Sequence, residues 1–291
     1  MKRFLLLTTI LAATAASAYA QFTFSSLDFP GGTKTFARGI NNQGAIVGAY
    51  RITPPRHALL IKDGNYVPLA PNSVLGGQNF SEAFKINDRG DVVGDYDDGV
   101  THGFVLSNGV LTTLDFPGAD QTIAFAINNS RVVVGEWDLL DSLGNVLSAH
   151  GFIWKDGTFS EVNVPGAADT SLIGINDEGA SVGVWDTGII SSIGHAFLYS
   201  NGEFTTFDVP STTYTQANDL NDKGEIVGVY IDANNAFHGF LKVQDSFTAV
   251  DYPGAVFTSA WGINSSGRIV GVHIDSLGGP ERGFIARRPT N

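Results

Sequence analysis

Hydrophobic residues after position 20 occur in short runs that are bounded by Gly, Asn, Asp and Pro, and no run keeps the period of a helix. Segments such as TFARGIN (35–41) and TSAWGIN (258–264) lead into a turn whose first residue is Asn and whose fourth is Gly. Asn and Gly tolerate the left-handed conformation that tight turns between antiparallel strands require. The pattern therefore predicts an all-β protein of short strands joined by hairpin turns.

One motif, I-N-x-x-G-x-x-V-G, divides the chain into repeats. It occurs six times at intervals of 41 to 48 residues, which is the size of a propeller blade. Its anchor asparagines are Asn41, Asn87, Asn128, Asn176, Asn221 and Asn264. Each repeat predicts four strands, A to D. Strands A and B flank the motif turn, C carries a His-Gly-Phe type sequence, and D follows a second tight turn and ends at Pro.

Six units of four antiparallel strands predict a six-bladed β-propeller. A β-solenoid is the rival architecture, but it needs parallel rungs, which the repeated hairpin turns disfavour. The chain begins with a lone D-type strand in FTFSSLDFPG (22–31) and ends with a lone C-type strand in RGFIARR (282–288). We therefore expect the N-terminal strand to pair with the last blade and close the ring, because closure leaves no open sheet edge.

The N-terminus has the pattern of an export signal. Lys2 and Arg3 precede an apolar run, and Ala18-Tyr19-Ala20 resembles a cleavage site. We expect residues 1–20 to be a signal peptide that is cleaved near Ala20, and residues 21–291 to be a single propeller domain in the periplasm or outside the cell. No later stretch is apolar enough to span a bilayer. The chain lacks cysteine, so its stability must come from its core rather than from disulfides.

The net charge restricts the classes of partner that the protein is expected to bind. The net charge is −12, and an acidic protein repels phosphate backbones, which disfavours nucleic-acid binding. We expect a monomer whose partner is an extracellular polysaccharide or protein. A role in keeping the protein soluble is enough to explain this net charge.

The H-[GA]-F strand, the I-N-x-x-G-x-x-V-G hairpin and the D-[FVY]-P-G turn resemble the HAF-type bacterial extracellular repeat family, over residues 22–288. The resemblance implies an exported, repeat-built protein, and it brings no assigned catalytic residue. Some repeats depart from the pattern. The first has His57-Ala58-Leu59, the sixth has Arg282 in place of His, the third has Arg131 in place of the turn glycine, and Pro71-Asn72 lacks the preceding Asp.

Five of the six histidines occupy one position of the repeat. A ring of histidines would suit a metal site or general-base chemistry. We favour a structural role, in which each His satisfies neighbouring polar groups, because Arg282 is no metal ligand and equivalent positions in different blades point apart. These histidines are His57, His102, His150, His195 and His238.

The D-x-P-G turns supply a second recurrent polar position, and one repeat has Asn163 there. We interpret these residues as Asx-type turns that end strand D. The alternative is a ring of calcium ligands, which makes calcium the one cofactor that the pattern leaves open. Its weak metal candidates are Asp28, Asp115, Asp208 and Asp251.

Length varies almost only in the B–C loops and in one D–A connection, which antiparallel order places on one face. Function in repeat folds tends to collect where insertions collect. The two longest B–C loops, 136–150 and 184–195, contain Trp-Asp pairs and apolar residues, among them Leu143. The rings suit either inter-blade packing or sugar binding. The candidate ligand-binding residues are Tyr96, Asp97, Trp137, Asp138, Leu139, Leu140, Trp185, Asp186, Ile189 and Ile190.

These patterns favour a secreted, non-enzymatic binding platform for a polysaccharide or protein, with no catalytic residue assigned. One alternative is a glycan hydrolase, which needs two carboxylates across a cleft. Its candidates are Glu136, Asp138, Asp141 and Asp186. Another alternative is a structural surface or matrix protein.

Overall fold

The computed structural model describes residues 22–69, 80–188 and 193–289, and all regular structure in these ranges is β-strand. The first strand is β1 (Thr23–Leu27). The first three repeats contain β2 (Lys34–Ile40), β3 (Ile46–Arg51), β4 (His57–Lys62), β5 (Asn65–Pro68), β6 (Ser81–Ile86), β7 (Val92–Asp97), β8 (Thr101–Ser107), β9 (Val110–Leu114), β10 (Gln121–Ile127), β11 (Val133–Leu140), β12 (Val146–Lys155) and β13 (Thr158–Glu161). The last three contain β14 (Asp169–Ile175), β15 (Ser181–Asp186), β16 (His195–Ser200), β17 (Glu203–Phe207), β18 (Tyr214–Leu220), β19 (Ile226–Ile231), β20 (Phe237–Val243), β21 (Ser246–Ala249), β22 (Phe257–Ile263), β23 (Ile269–Ile274) and β24 (Arg282–Arg287).

These strands form a β-propeller whose blades have four antiparallel strands. The first four repeats each fold into a separate four-stranded sheet in chain order. The strands β18–β24 and β1 form an eight-stranded sheet, in which β20 and β22 share one parallel residue pair, Phe237–Phe257. The strand β1 pairs antiparallel with β24, from Thr23–Arg287 to Leu27–Gly283. The all-β class, the propeller architecture and the pairing of the N-terminal strand are therefore confirmed.

The anchor asparagines explain why the A–B hairpins form and why neighbouring repeats stay together. The Asn41 Oδ1 accepts the amide of Ala45 at 2.9 Å, which shapes the turn. The Asn41 Nδ2 donates to the carbonyl of Asn87 at 3.1 Å, which links the first repeat to the second. The last repeat returns to the first, because Asn264 Nδ2 donates to the Asn41 carbonyl at 3.0 Å. The anchor asparagines thus shape their own turns and link neighbouring repeats, and the link from Asn264 returns to the first repeat.

The glycine of the V-G pair is required by a close approach between strands A and B. In each A–B pair, the register shifts on strand A beside the residue that pairs with this glycine. In the fourth repeat, Leu172 pairs with the V-G glycine Gly183, and the shift lies between Leu172 and Gly174. A Cβ at Gly183 would lie 1.8 Å from the carbonyl oxygen of Ser171 and 2.9 Å from the ring of Phe197. The phenylalanine of strand C, here Phe197, is fully buried. The V-G glycine therefore lets this ring pack against the bulged strand.

The middle of the propeller axis is filled by side chains from strand A. Lys85 of β6 and Asp219 of β18 form a buried ion pair between the second and fifth repeats. The guanidinium of Arg38 lies 3.9 Å from the ring centroid of Trp261. A cavity of only about 10 Å³ remains here, lined by Arg38, Phe84, Lys85, Phe125, Ile173, Asn218 and Trp261. Space for a ligand on the axis is therefore confined to its two ends.

Across residues 22–69, 80–188 and 193–289, no helix is long and apolar enough to cross a membrane.

Candidate functional site

Antiparallel order gives the propeller two different faces. The A–B and C–D turns lie on one face, which we call the turn face, and the B–C loops and D–A connections lie on the other, the loop face. At the axis, the turn face has a depression of about 50 Å³, and the residues that directly follow the anchor asparagines of the repeat motifs surround it. These residues bond to one another; Asn42 N donates to Asp88 Oδ1 at 2.8 Å, and Asn129 Nδ2 donates to Asp177 Oδ2 at 2.6 Å. The sequence analysis missed this ring, although each motif has Asn, Asp or Ser at that position.

The third repeat extends the loop face with a long hairpin. Strands β11 and β12 remain paired out to Leu140–Val146. Asp141 holds the turn, because its Oδ1 accepts the amides of Leu143 at 2.8 Å and Asn145 at 2.9 Å. Leu143 is 84% exposed, Leu139 is also exposed, and Leu140 is half-buried. Leu139 and Leu143 therefore present apolar surface on the loop face, whereas Asp141 serves the turn.

A cleft lies on one side of this hairpin, between the second and third repeats. We call it the interrepeat cleft. It has a volume of about 300 Å³ and is lined by Asp97, Gly99, Val100, Thr101, Asp120, Gln121, Leu140 and Asp141. A neighbouring recess of about 330 Å³ shares Val100, Thr101, Asp120 and Gln121. The cleft therefore combines carboxylate, hydroxyl and amide groups with two aliphatic side chains.

A group of acids, which we call the carboxylate cluster, lies on the other side of the hairpin, between the third and fourth repeats. It consists of Glu136 and Asp138 of β11, Asp169 of β14 and Asp186 of β15. Burial and the nearby charges of Asp138 and Asp169 raise the pKa of Glu136 to about 7, although a hydrogen bond from Ser171 Oγ opposes the shift. Burial and the charge of Asp169 raise the pKa of Asp138 to about 6.

The pKa values of Asp186, within the cluster, and of Tyr214, beside it, are also raised. Burial is the main cause that raises the pKa of Asp186, and Asp169 adds to it. Burial, with the charges of Asp186 and Glu136, raises the pKa of Tyr214 to about 12. Asp138 is only 3% exposed, and its Oδ1 has no hydrogen-bond partner among the described residues. Glu136, Asp138 and Asp186 are candidates from the sequence, and the structure brings them together with Asp169, which no sequence motif marks.

The aromatic candidates pack against other rings, which is the first of the two roles that the sequence leaves open for them. The ring of Trp137 is stacked between Phe116, at 4.7 Å and 8°, and His150, at 4.4 Å and 24°. Both indole faces are therefore covered. Trp185 lies 5.0 Å from the ring of His195, and Tyr96 is buried.

Two apolar candidates, Ile189 and Ile190, lie outside the described residues.

Four of the five repeated histidines pair with the D-x-P-G position of their own repeat; His57, whose repeat lacks that Asp, instead lies 5.8 Å from the ring of Tyr50. His102 Nδ1 lies 2.7 Å from Asp115 Oδ1, and His195 Nδ1 lies 2.8 Å from Asp208 Oδ2. His238–Asp251 and His150–Asn163 repeat the contact at 3.0 and 3.1 Å. In the sixth repeat, Arg282 Nη1 lies 3.4 Å from Asp28 Oδ1.

The same contacts involve the four acids that the sequence offers as weak metal candidates. The weak metal candidates Asp28, Asp115, Asp208 and Asp251 each contact a His or Arg of the same blade instead of converging on one ion. Within the described ranges, no group of three or more His, Asp or Glu is placed to hold a metal ion.

No protein-family model matches the chain, and no curated protein sequence is detectably similar to it. Solved structures do resemble it. A protein of unknown function from Dyadobacter fermentans is 11% identical, with a TM-score of 0.58 over 93% of this chain and 100% of that one. The six-bladed lectin of Aleuria aurantia, described with a novel fucose recognition mode, is 9% identical, with a TM-score of 0.54 over 90% and 93%.

An acylaminoacyl peptidase from Pyrococcus horikoshii is 12% identical, with a TM-score of 0.53 over 89% of this chain and 45% of that one. At such low identities, these similarities support the propeller fold alone.

Proposed function

We propose that the chain is an exported, six-bladed, non-enzymatic propeller of the HAF-type repeat family that binds an extracellular carbohydrate on its loop face. The count of six blades is supported by six sequence repeats. It is also supported by the eight-stranded sheet, in which β18–β21 and β22–β24 with β1 meet at the single pair Phe237–Phe257. Each half has the four antiparallel strands of a blade.

The interrepeat cleft carries this proposal. Its volume of about 300 Å³ matches the lower end of the range for small-molecule sites. The carboxylates of Asp97 and Asp120 accept hydrogen bonds from sugar hydroxyls, and Thr101 and Gln121 both donate and accept. Val100 and Leu140 offer aliphatic surface to the C–H face of a sugar ring. Polar groups beside a small apolar patch are the chemistry that a polyhydroxylated ring needs.

The similarity to the Aleuria aurantia lectin supports the same conclusion by analogy of fold. A mutant of that lectin has been solved in complex with Fucα1-6GlcNAc, and its propeller is of similar extent. A shared fold hosts many functions, so the weight of the proposal stays with the cleft and its residues.

Binding of residues 21–291 to an array of neutral glycans, with and without calcium, tests the proposal. We expect a specific hit that weakens at least tenfold in Asp97→Asn, which replaces an acceptor oxygen in the cleft by an amide donor, and in Gln121→Ala, which removes an amide from the cleft. Asp245→Asn is the matched control, since this exposed acid lies on the turn face. A blank array would contradict carbohydrate binding and would favour a protein partner or a structural role.

A glycan hydrolase is the second candidate function, and the carboxylate cluster favours it. Carboxyls whose pKa is raised to about 6 and 7 suit general acid catalysis near neutral pH. Asp141 does not belong to this group, because it holds the hairpin turn. Release of reducing sugar from a bound glycan, abolished in Glu136→Gln, would establish the hydrolase and overturn the non-enzymatic proposal.

A further inference from the structure

We infer that the carboxylate cluster binds a protonated amine, so that the glycans preferred by the loop face carry free amino groups. This inference rests on the proposed carbohydrate-binding function and adds a second contact area on the loop face, across the long hairpin from the interrepeat cleft. Amino sugars with an unacetylated amine have the required combination of hydroxyl groups and one positive charge.

The fold positions the cluster through strand register. Glu136 and Asp138 alternate along β11 and therefore lie on the same side of the blade, toward the fourth repeat. Asp169 and Asp186 are directly opposite each other in the β14–β15 pair. The Asp169 Oδ1 accepts the amide of Ala149 at 2.8 Å, which ties the fourth repeat to the long hairpin of the third. The four acids are thus brought together by two blades.

Among the described residues, four of the other five buried acids form an ion pair with Lys or Arg, and the fifth, Asp95, lies near enough to Arg56 and Arg38 for their charges to lower its pKa. Buried Asp138 and its half-buried neighbours in the cluster have no such cation. Glu82 is contacted by Arg38 at 2.5 Å and by Arg56 at 2.8 Å. Asp219 has Lys85, and Asp91 has Arg131 at 2.9 Å. In the part of the chain that the structure describes, no Lys or Arg forms an ion pair with an acid of the cluster. Buried carboxylates without a counter-charge are costly, so the cluster favours an external cation.

The surroundings of Asp138 are the observation that indicates a ligand. It is 3% exposed, and its Oδ1 lacks a hydrogen-bond partner among the described residues, although the charges of Glu136 and Asp169 surround it. A buried acceptor of this kind is rare in native proteins unless a ligand or water completes it. An ammonium group has three donors, so it can reach Asp138 and two neighbouring acceptors at once.

The neighbouring groups fit a sugar that carries this amine. Ser171 Oγ donates to Glu136, and the hydroxyl of Tyr214 donates to Gln216 Oε1. The side chains of Ser171, Tyr214 and Gln216 are only partly buried, so they offer hydroxyl and amide groups beside the acids. Calcium would instead need six to eight oxygens at about 2.3–2.6 Å. A calcium site is therefore treated as a competing outcome of the experiment.

Three oligomers of equal length test the inference: glucosamine with free amines, the same oligomer fully N-acetylated, and glucose. Affinities are measured by calorimetry at pH 7.5 and about 0.15 M salt, which limits long-range attraction between exposed charges. We expect the free-amine oligomer to bind at least tenfold more tightly than the other two. The double variant Glu136→Gln/Asp138→Asn should lose this preference and keep its affinity for the acetylated oligomer. Asp245→Asn, with an exposed acid removed from the turn face, should behave as wild type.

The pH profile gives a second readout. Glu136, Asp138, Asp169 and Asp186 are the acids that face the site, with Tyr214 beside them. The amines of the oligomer gain protons as pH falls, so the preference is corrected for their measured ionisation at each pH. Because protonation of Glu136 and Asp138 removes negative charge from the site, the preference for the protonated amine should fall between pH 7.5 and 5.5. A preference that does not change over this range contradicts the assignment to these two acids.

Each negative outcome of these binding experiments contradicts a different part of the proposal. Equal affinity for amine and acetylated oligomers contradicts the amine site alone. A preference that survives in the double variant shows general attraction to an acidic chain and also contradicts it. Calcium binding that is lost in Asp138→Asn, without any preference for amines, overturns the inference in favour of a metal site. If none of the three oligomers and no glycan on the array binds, the proposed carbohydrate function itself fails.

Discussion

Asp95 and Glu136 occupy the same place in their repeats, one residue after the V-G glycine, but their surroundings differ in charge. Burial and the charge of Glu82 raise the pKa of Asp95 well above its ordinary value, while Arg56 and Arg38 oppose the shift. Glu136 meets only other acids and a hydroxyl. The repeat therefore supplies a buried acid at this position in two blades, and the neighbouring blade decides whether it has a counter-charge.

At this scale we predict that Glu136→Gln makes stability less dependent on pH. The raised pKa of about 7 means that the folded state binds a proton more tightly than the unfolded state between about pH 4.5 and 7. Stability must therefore fall as pH rises through this window, by on the order of 1–2 kcal/mol. Urea unfolding from pH 4.5 to 8 measures the slope, with the exposed Glu178→Gln as the control. An equal slope in Glu136→Gln would show that burial of this carboxyl does not affect folding.

At the scale of the element, the A–B hairpin combines a bulged strand with a glycine that has no room for a side chain. The same register shift occurs in the A–B pair of every repeat. The shift brings a strand A carbonyl against the V-G glycine, and the ring of strand C packs behind it. The glycine is thus required by packing, whereas turn glycines such as Gly118 are required by a positive φ.

We predict that Gly183→Ala destabilises the protein much more than Gly118→Ala. The new Cβ at Gly183 would overlap the Ser171 carbonyl at 1.8 Å, so the hairpin must distort, at a cost of roughly 3 kcal/mol or more. At Gly118, which has a φ of +89° and open space, only the left-handed backbone is strained, at about 1 kcal/mol. Chemical denaturation of both variants makes the comparison. Equal losses would mean that the hairpin relaxes easily.

At the scale of the whole molecule, contacts between neighbouring repeats are supplemented by one across the axis. Repeat arrays are usually held together by nearest-neighbour interfaces, so they lose cooperativity easily. The Lys85–Asp219 pair links the second repeat to the fifth, and the Asn264–Asn41 bond links the sixth to the first. We expect the propeller to unfold as one unit because of these two long-range links.

The axial pair gives the prediction that belongs to this scale. Lys85→Met should cost about 3–5 kcal/mol, because it leaves the Asp219 carboxylate buried without a partner. The double variant Lys85→Met/Asp219→Leu should recover most of this loss, since a buried ion pair and a packed apolar pair have similar stability. Thermal unfolding followed by circular dichroism measures both variants. A double variant as unstable as the single one would show that the charges themselves hold the axis.

Whether a feature of this fold can be predicted from the sequence depends on how far apart in the chain the contacting residues are. The hairpins, the strand order and the pairing of β1 follow from local turn residues and from the repeat, so they were predictable. The covering of Trp137 was not, because Phe116 comes from the preceding D–A connection. The carboxylate cluster was found only in part. Asp169 joins it through register and through packing of two blades, which no local pattern records.

The Lys85–Asp219 pair also limits how this chain can change during evolution. Propellers gain and lose blades by tandem duplication and deletion of whole repeats, and interfaces between neighbours tolerate this well. A contact between the second and fifth repeats is different, because one extra unit between them would move its two residues out of line. We therefore expect descendants of this sequence that change their number of repeats to have lost both charges together.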